Sequence, residues 1–138
     1  MILPAFVRGP LACRTDSLTI LVGSHEADAC LVGYDPGQAQ TLLADCRRRS
    51  IAEEGSAPHL HHARARRIFG FLDEVILDDA GGCLLHPMMR RRARLDDAAL
   101  VLGTGEAFEI WSPQVALEGG DPDLSDLAAY HLNLQRAA

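Results

Sequence analysis

The amino-acid sequence predicts a mixed α/β (α+β) fold built from one unit that occurs twice. Two short segments carry this prediction, YDPGQA at 34–39 and WSPQVA at 111–116. Each places an aromatic residue at a strand end, then Asp or Ser as an N-cap, then proline at the first helical position, where its missing N–H costs nothing. An apolar strand containing glycine precedes each segment, LTILVG at 18–23 and ALVLGTG at 99–105. The repeated order of strand, short helix, strand, turn, strand and helix indicates a duplicated unit.

The first copy is predicted to continue as a helix with one buried stripe. Its apolar residues follow the i, i+3, i+4, i+7 spacing of such a helix: Ala39, Leu42, Leu43 and Cys46. A polar linker at 50–58 comes next, and HLHHARARRIF at 59–69 predicts a second helix that Gly70 closes.

The second copy is predicted to begin with a strand at 73–78. A glycine turn and a second apolar strand follow, and LHPMMR at 85–90 aligns with LPAFVR at 3–8 of the first copy. From Asp121 onward a C-terminal helix is predicted. Its apolar side is formed by Leu124, Leu127 and Ala128.

Composition indicates a globular intracellular protein. The 138 residues include 48% hydrophobic and 23% charged residues, and no apolar run approaches the roughly 18 residues of a membrane helix. The first cation follows the apolar start, which is the reverse of a secretory signal. Four widely spaced cysteines without a C-x-x-C pair predict buried, reduced thiols in a cytosol rather than a zinc site.

The charges are unevenly distributed along the chain. Although the net charge is −6, all thirteen cations are arginine, and ten of them fall in three clusters, at 47–49, 64–67 and 90–94. Arginine suits phosphate recognition, because its planar fork can donate two parallel hydrogen bonds. The alternative to phosphate recognition is that each cluster forms a solvated helix face without a ligand.

Three motifs invite enzymatic or metal chemistry, and each lacks a convergent set of groups. HLHH at 59–62 supplies two histidines to one helical face, without the further ligands that a metal site needs. GSHEAD at 23–28 places its polar residues on an extended loop with no nucleophile elbow to support a triad. GTGEAF at 103–108 lacks the third glycine of a dinucleotide fingerprint and predicts a turn between strands. The sequence therefore predicts no enzyme, no metal and no cofactor.

LDDAGGCLLHPMMRRRARL at 77–95 is the segment that bears most directly on function. A predicted apolar strand is followed by a glycine turn and then by four arginines, Arg90, Arg91, Arg92 and Arg94. The segment is typical of a nucleic-acid-binding hairpin, of a damaged hairpin of that kind, or of a structural hairpin beside a solvated basic helix.

Over nearly its whole length the chain resembles the MraZ family of bacterial transcriptional regulators. The resemblance rests on LDDAG (77–81), LLHPMMR (84–90), LVLGTG (100–105) and FEIWSPQVALE (108–118), with further matches at ARARRIFG (63–70) and in the first copy. It implies an AbrB-like swapped-hairpin fold in two tandem halves related by a pseudo-twofold. It also implies a ring that represses by binding direct repeats upstream of the division and cell-wall gene cluster. The implied partners are double-stranded promoter DNA and further copies of the chain, in the cytoplasm at the nucleoid, without membrane or small-molecule substrate.

The resemblance divides the chain into four parts. Residues 1–55 form a first half that lacks its opening strand and turn, 56–70 a joining helix, 71–120 a second half, and 121–138 a C-terminal helix or tail. Because swapped hairpins need a partner, a homo-oligomer larger than a dimer is expected. A half without its opening strand exposes a sheet edge, so an in-frame extension of about twenty residues is expected upstream of Met1.

The DNA-reading element that the resemblance implies is a D-x-x-x-R turn. Asp78 and Gly81 occupy its turn positions, and Gly82 stands where the family carries the arginine that reads the groove. Remaining contacts are expected to be made to phosphates. The candidates are Arg8, Arg14, Arg90, Arg91 and Arg92.

Two functions remain open at this point. One is a MraZ-like repressor that binds DNA direct repeats as a ring. The other is an oligomeric interaction module that has lost DNA recognition and acts through protein contacts.

Overall fold

A computed structural model describes residues 19–25, 28–52, 58–78, 80, 82–105 and 107–137. Several predictions fall outside these residues. They concern LPAFVR at 3–8, Cys13, the phosphate candidates Arg8 and Arg14, and turn residue Gly81.

A five-stranded antiparallel sheet forms the centre of the described structure, which confirms the mixed α+β class. The strands are β1 (Thr19–Ser24), β2 (Leu31–Tyr34), β3 (Asp73–Ile76), β4 (Leu100–Gly103) and β5 (Phe108–Trp111). Their order across the sheet is β3-β1-β2-β5-β4, and every neighbouring pair is antiparallel. Two hairpins, β1–β2 and β4–β5, therefore meet through β2 and β5.

The contact between β2 and β5 depends on a glycine. Gly33 of β2 lies opposite Phe108 of β5. A Cβ at Gly33 would overlap the ring of Phe108, which is itself only 5% exposed. The phenylalanine ring thus packs over the bare backbone of the neighbouring strand, and this close approach requires glycine.

Four of the five described α-helices begin at a proline. After a 3-10 turn (Pro36–Gln38), they are α1 (Ala39–Ala52), α2 (Pro58–Phe69), α3 (Pro87–Arg92), α4 (Pro113–Glu118) and α5 (Pro122–Ala137). Ser112 caps α4 as predicted, its Oγ accepting from the Val115 N–H at 3.4 Å. Asp35 instead accepts from the Gly37 N–H at 2.9 Å and starts the 3-10 turn. Asp121 caps α5, accepting from the N–H groups of Asp123 and Leu124.

The prediction of a second apolar strand after the glycine turn is wrong. Residues 83–86 form no regular element, and the chain becomes helical at Pro87. His86 acts as the N-cap, because its Nδ1 accepts from the Met88 N–H at 3.1 Å, and Pro87 fits the first helical position. These local signals outweigh the apolar run. Between β4 and β5, where a turn is predicted, the Thr104 N–H donates to the Ala107 carbonyl at 2.9 Å.

The buried side chains form two clusters that meet the sheet. The larger cluster includes Ile20, Val22, Leu31, Phe108 and Ile110 of the strands, together with Met89 of α3. The smaller cluster joins Cys30 and Trp111 to α4 and α5. Of the described helices, none is both long and apolar enough to cross a membrane.

Two predicted apolar stripes are only partly buried. On α1 Cys46 is buried, whereas Leu43 is 41% exposed; on α5 Ala128 is buried, whereas Leu127 is 46% exposed. On both helices the buried surface is therefore narrower than the apolar stripe that helical spacing predicts. Leu42 of α1 and Leu124 of α5 are half-buried, and Leu124 packs against the smaller cluster.

Candidate nucleic-acid interface

The turn at 78–82 is closed by the side chain of Asp78. Its Oδ1 accepts from the N–H groups of Ala80 at 2.9 Å and Gly82 at 2.7 Å. The Asp78 N–H donates to the Gly82 carbonyl at 2.9 Å, which joins the two arms of the hairpin. An aspartate that accepts from backbone N–H groups two to four residues later stabilises a tight turn. Asp78 therefore shapes the turn.

Gly82, the position of the missing arginine, lies beside this carboxylate. A Cβ built there would lie 2.5 Å from Asp78 Oδ2 and 3.1 Å from its Cγ. The obstacle is the end of a side chain rather than backbone, so a larger residue at Gly82 requires the carboxylate to rotate.

Helix α3, which carries most of the arginines, begins four residues after the turn. Arg90 and Arg91 are exposed at its C-terminal end, and the Arg90 guanidinium donates to the Asp96 carbonyl at 3.0 Å. Their positive charges lie where helix carbonyls are unsatisfied, an arrangement that also favours the helix itself. Turn and arginines are thus close along the chain.

Arg94 extends this cluster in a conformation that is costly for its residue type. Its φ is +56°, whereas no other described non-glycine residue has a positive φ. The Leu95 N–H donates to the Arg90 carbonyl and the Arg94 N–H to the Arg91 carbonyl, which is the bonding pattern of a Schellman motif. Glycine is the usual residue at this position, and a side chain costs about 1 kcal/mol there.

Arg92 is held within the fold. Its Nε donates to the hydroxyl of Ser24 at 2.9 Å, and its guanidinium lies 4.3 Å from the centre of the Phe71 ring. Ser24 is only 3% exposed, at the end of β1. Arg92 thereby joins α3 to the first hairpin. A phosphate contact by Arg92 stays a prediction, and a phosphate would have to compete with Ser24 and the Phe71 ring for its guanidinium.

A groove of about 380 Å³ runs between the end of α3 and α4. Arg90, Arg91 and Arg94 lie on one side of it, and Gln114 and Glu118 of α4 on the other. We call Arg90, Arg91 and Arg94 the α3 arginine cluster. Three guanidinium groups in one groove can contact anionic oxygens, although Glu118 and Asp96 reduce the local positive charge.

The other motifs show no catalytic arrangement in the described residues. The Ser24 hydroxyl donates to the His25 carbonyl at 3.3 Å rather than to the imidazole, so the two do not form a nucleophile and base. His25 Nδ1 accepts from the Asp28 N–H at 2.9 Å. No three described His, Cys, Asp or Glu side chains are placed to hold a metal ion.

The described cysteines are buried thiols. They are Cys30, Cys46 and Cys83. Burial raises the pKa of the Cys30 and Cys83 thiols, because the thiolate is poorly solvated there. Neither thiol is suited to act as a nucleophile at neutral pH.

Comparison with known proteins settles the family. The transcriptional regulator MraZ of Saccharophagus degradans is 30% identical over 117 residues, which cover 83% of this chain and 74% of that protein. MraZ of Thiobacillus denitrificans is 30% identical over 118 residues, 76% of this chain and 80% of that protein. The chain belongs to the MraZ family.

MraZ of Shewanella oneidensis, at 27% identity over 84% of this chain and 72% of its own, extends the same relationship. No family model matches the chain. Membership of the MraZ family confirms the resemblance seen in the sequence. These relatives are transcriptional regulators, and the expectation that the chain is not an enzyme is confirmed with them.

Within this MraZ family member, the structure brings some of the predicted residues together. Asp78 and Gly82 meet in one turn, and Arg90 and Arg91 follow on the next helix. Arg94, which sequence reasoning did not select, shares their groove. The signal that could have found it is the stretch RRRARL, where a helix ends without the glycine that normally closes it.

Proposed function

We propose that this chain regulates transcription by binding direct repeats in promoter DNA as a ring-shaped homo-oligomer. The repeats would lie upstream of the division and cell-wall genes, as the family resemblance implies. The observation that carries the proposal is the exposed α3 arginine cluster, which follows the Asp78 turn along the chain, in a protein related to MraZ regulators over most of its length. The proposed site of action is the nucleoid in the cytoplasm.

The sheet supports a duplicated, pseudo-twofold arrangement of two AbrB-like halves. In the first hairpin Leu21 lies opposite Tyr34, and in the second Leu100 lies opposite Trp111. The two aromatic residues occupy the same place in YDP and WSP. Where the hairpins meet, Val32 pairs with Glu109, and both stand two residues before their aromatic residue. A twofold axis through this pair would exchange the hairpins.

Strand β3 adds a feature of swapped hairpins. It belongs to the second half by sequence, yet it pairs with β1 of the first half. We therefore keep the proposed division into halves at 1–55 and 71–120, with 56–70 joining them and 121–138 as a C-terminal part.

In this proposal the cluster contacts the sugar-phosphate backbone, since the turn lacks the side chain that would read bases. Such contacts position a protein on the duplex but carry no sequence information. We expect binding to repeat-bearing DNA to be strongly salt-dependent and only modestly sequence-specific. Titration of repeat-bearing and scrambled duplexes at two salt concentrations measures both properties, and no binding to either duplex at low salt would contradict the proposal.

Replacing Arg91 and Arg92 separately should give different defects. We expect Arg91→Gln to lower the slope of log affinity against log salt by about 0.9 without changing the melting temperature, because it removes one phosphate contact. Arg92→Gln should instead lower the melting temperature, because it loses Ser24 and the Phe71 ring. Arg66→Gln, an exposed arginine on α2, is the control for net charge. Equal salt slopes for Arg66→Gln and Arg91→Gln would argue against a specific role for the cluster.

Arg94→Gly should separate stability from binding. Glycine relieves the left-handed conformation, so we expect a gain in unfolding free energy of up to about 1 kcal/mol. DNA affinity should nevertheless fall, because a guanidinium leaves the groove. Arg94→Ala is the matched control, since it loses the charge and keeps the strain. Thermal melts and DNA titrations of both variants provide the comparison, and unchanged DNA affinity in both would remove Arg94 from the interface.

The second candidate function is an oligomeric interaction module that no longer recognises DNA. The observation that favours it is Gly82, where the turn has no side chain and Asp78 is occupied by backbone N–H groups. In that case wild-type protein would form oligomers but show no difference between repeat-bearing and scrambled DNA.

A further inference from the structure

The C-terminal helix α5 exposes an apolar stripe on one face. Leu127, Tyr130 and Leu134 are 46%, 65% and 53% exposed, and their spacing of three and four residues places them along one side of the helix. Large apolar side chains exposed in a row are typical of a surface that a partner covers. Helix α5 packs against α4 through its opposite side, where Ala128 is buried.

The charged side chains beside the N-terminal half of this stripe are acidic, whereas Arg136 lies in the last turn of the helix. From residue 95 to residue 135 the chain contains eight carboxylates and no arginine or lysine. Asp123 and Asp126 lie on α5 four residues before Leu127 and Tyr130 and are exposed. Two α5 helices packed in parallel would bring Asp123 and Asp126 of both copies together, which disfavours a parallel self-pairing of this stripe.

Helix α1 offers a complementary surface. Leu43 and Ala44 are exposed in its middle, and Arg47 follows Leu43 by one helical turn. Among the described residues, no carboxylate lies within salt-bridge distance of Arg47, whereas Arg48 pairs with Asp45 at 2.8 Å. A small residue beside an exposed leucine lets another helix approach closely, and the unpaired arginine suits an acidic partner.

We propose that the α5 stripe of one copy docks on α1 of a second copy, with Asp126 facing Arg47. The contact joins two different surfaces of the same chain, so it is heterologous and repeats from copy to copy until a ring closes. This inference rests on the proposed homo-oligomer and names the surfaces that form it. Leu127 and Tyr130 supply the apolar centre, and the charges fix the direction of the helices.

Charge reversal on each side tests the pairing. One variant carries Asp123→Arg with Asp126→Arg, the other carries Arg47→Asp, and light scattering reports the mass of each at micromolar concentration. We expect each variant alone to dissociate, because the reversed charges repel the unchanged surface of the next copy. A one-to-one mixture should assemble again, since the contacts between the two variants then alternate between the original and the reversed charge pair. Asp97→Arg, an exposed residue outside both helices, should assemble like wild type.

Tyr130→Ala provides a second test that does not depend on charge. Tyr130 is largely exposed, so its truncation leaves the core intact, and we expect the concentration needed for assembly to rise roughly tenfold. If both charge-reversal variants assemble like wild type, the α5–α1 contact is wrong, although the protein still forms an oligomer. Dissociation of each variant without recovery in the mixture would also overturn the pairing. If the wild-type protein is a monomer, the proposed homo-oligomer is wrong. DNA binding is tested independently by the DNA titrations.

Discussion

Gly33→Ala is expected to destabilise the protein by about 3 kcal/mol, at the upper end of what overpacking costs, and to lower its melting temperature by about 10 °C. The added Cβ would overlap the Phe108 ring, which is buried in the main core. The ring and the glycine sit on the two strands that join the hairpins, so the strain falls on the centre of the sheet. Thermal unfolding at a fixed protein concentration measures the effect, because association shifts the midpoint.

The reason for this loss can be tested with a compensating substitution. Phe108→Leu in the Gly33→Ala background frees the space above residue 33 and should recover part of the lost stability. Gly120→Ala is the matched control, since a Cβ there meets no atom within 4 Å. A melting temperature for Gly33→Ala within about 2 °C of wild type would mean that Phe108 can move aside at little cost.

Gly82→Arg is expected to increase affinity for repeat-bearing DNA by roughly 5- to 150-fold, while binding to scrambled DNA changes far less. One arginine that reads a guanine contributes about 1–3 kcal/mol of discrimination. In a ring several turns engage neighbouring repeats, so the gain of each is multiplied through effective concentration. Titration of both duplexes at two salt concentrations separates base reading from phosphate attraction.

The structure adds a cost to this substitution. The new Cβ would lie 2.5 Å from Asp78 Oδ2, so the carboxylate must rotate and its hydrogen bonds to Ala80 and Gly82 weaken. Gly82→Ala is the matched control, because it carries the same steric cost without a guanidinium. It should melt slightly lower than wild type and bind DNA no better. If Gly82→Arg and Gly82→Ala bind both duplexes equally, the turn has only a structural role.

The sequence alone predicted much of the fold, because the signals concerned are local. Proline after a capping residue located the start of α4, and glycine at position 70 located the end of α2. The repeated aromatic residue before each proline located the ends of β2 and β5. The family resemblance also came from short motifs, and the relatives confirm it.

The exposure of Leu43 and Leu127 could not be predicted in the same way. Helical spacing tells which residues share a face, but how much of that face is covered depends on the elements packed against it. The sequence likewise predicted a strand where His86 and Pro87 begin a helix, since an apolar run suits either element.

For the candidate site, the sequence alone identified the Asp78 turn, its glycine in place of arginine and the arginines after it, all within one segment of the chain. Only the tertiary structure distinguished those arginines from one another. Arg92 is bound to Ser24, 68 residues away, whereas Arg90, Arg91 and Arg94 line an open groove. The physical reason is that charge and spacing are properties of the chain, but the partner of a guanidinium depends on which distant side chain the fold brings within hydrogen-bond distance.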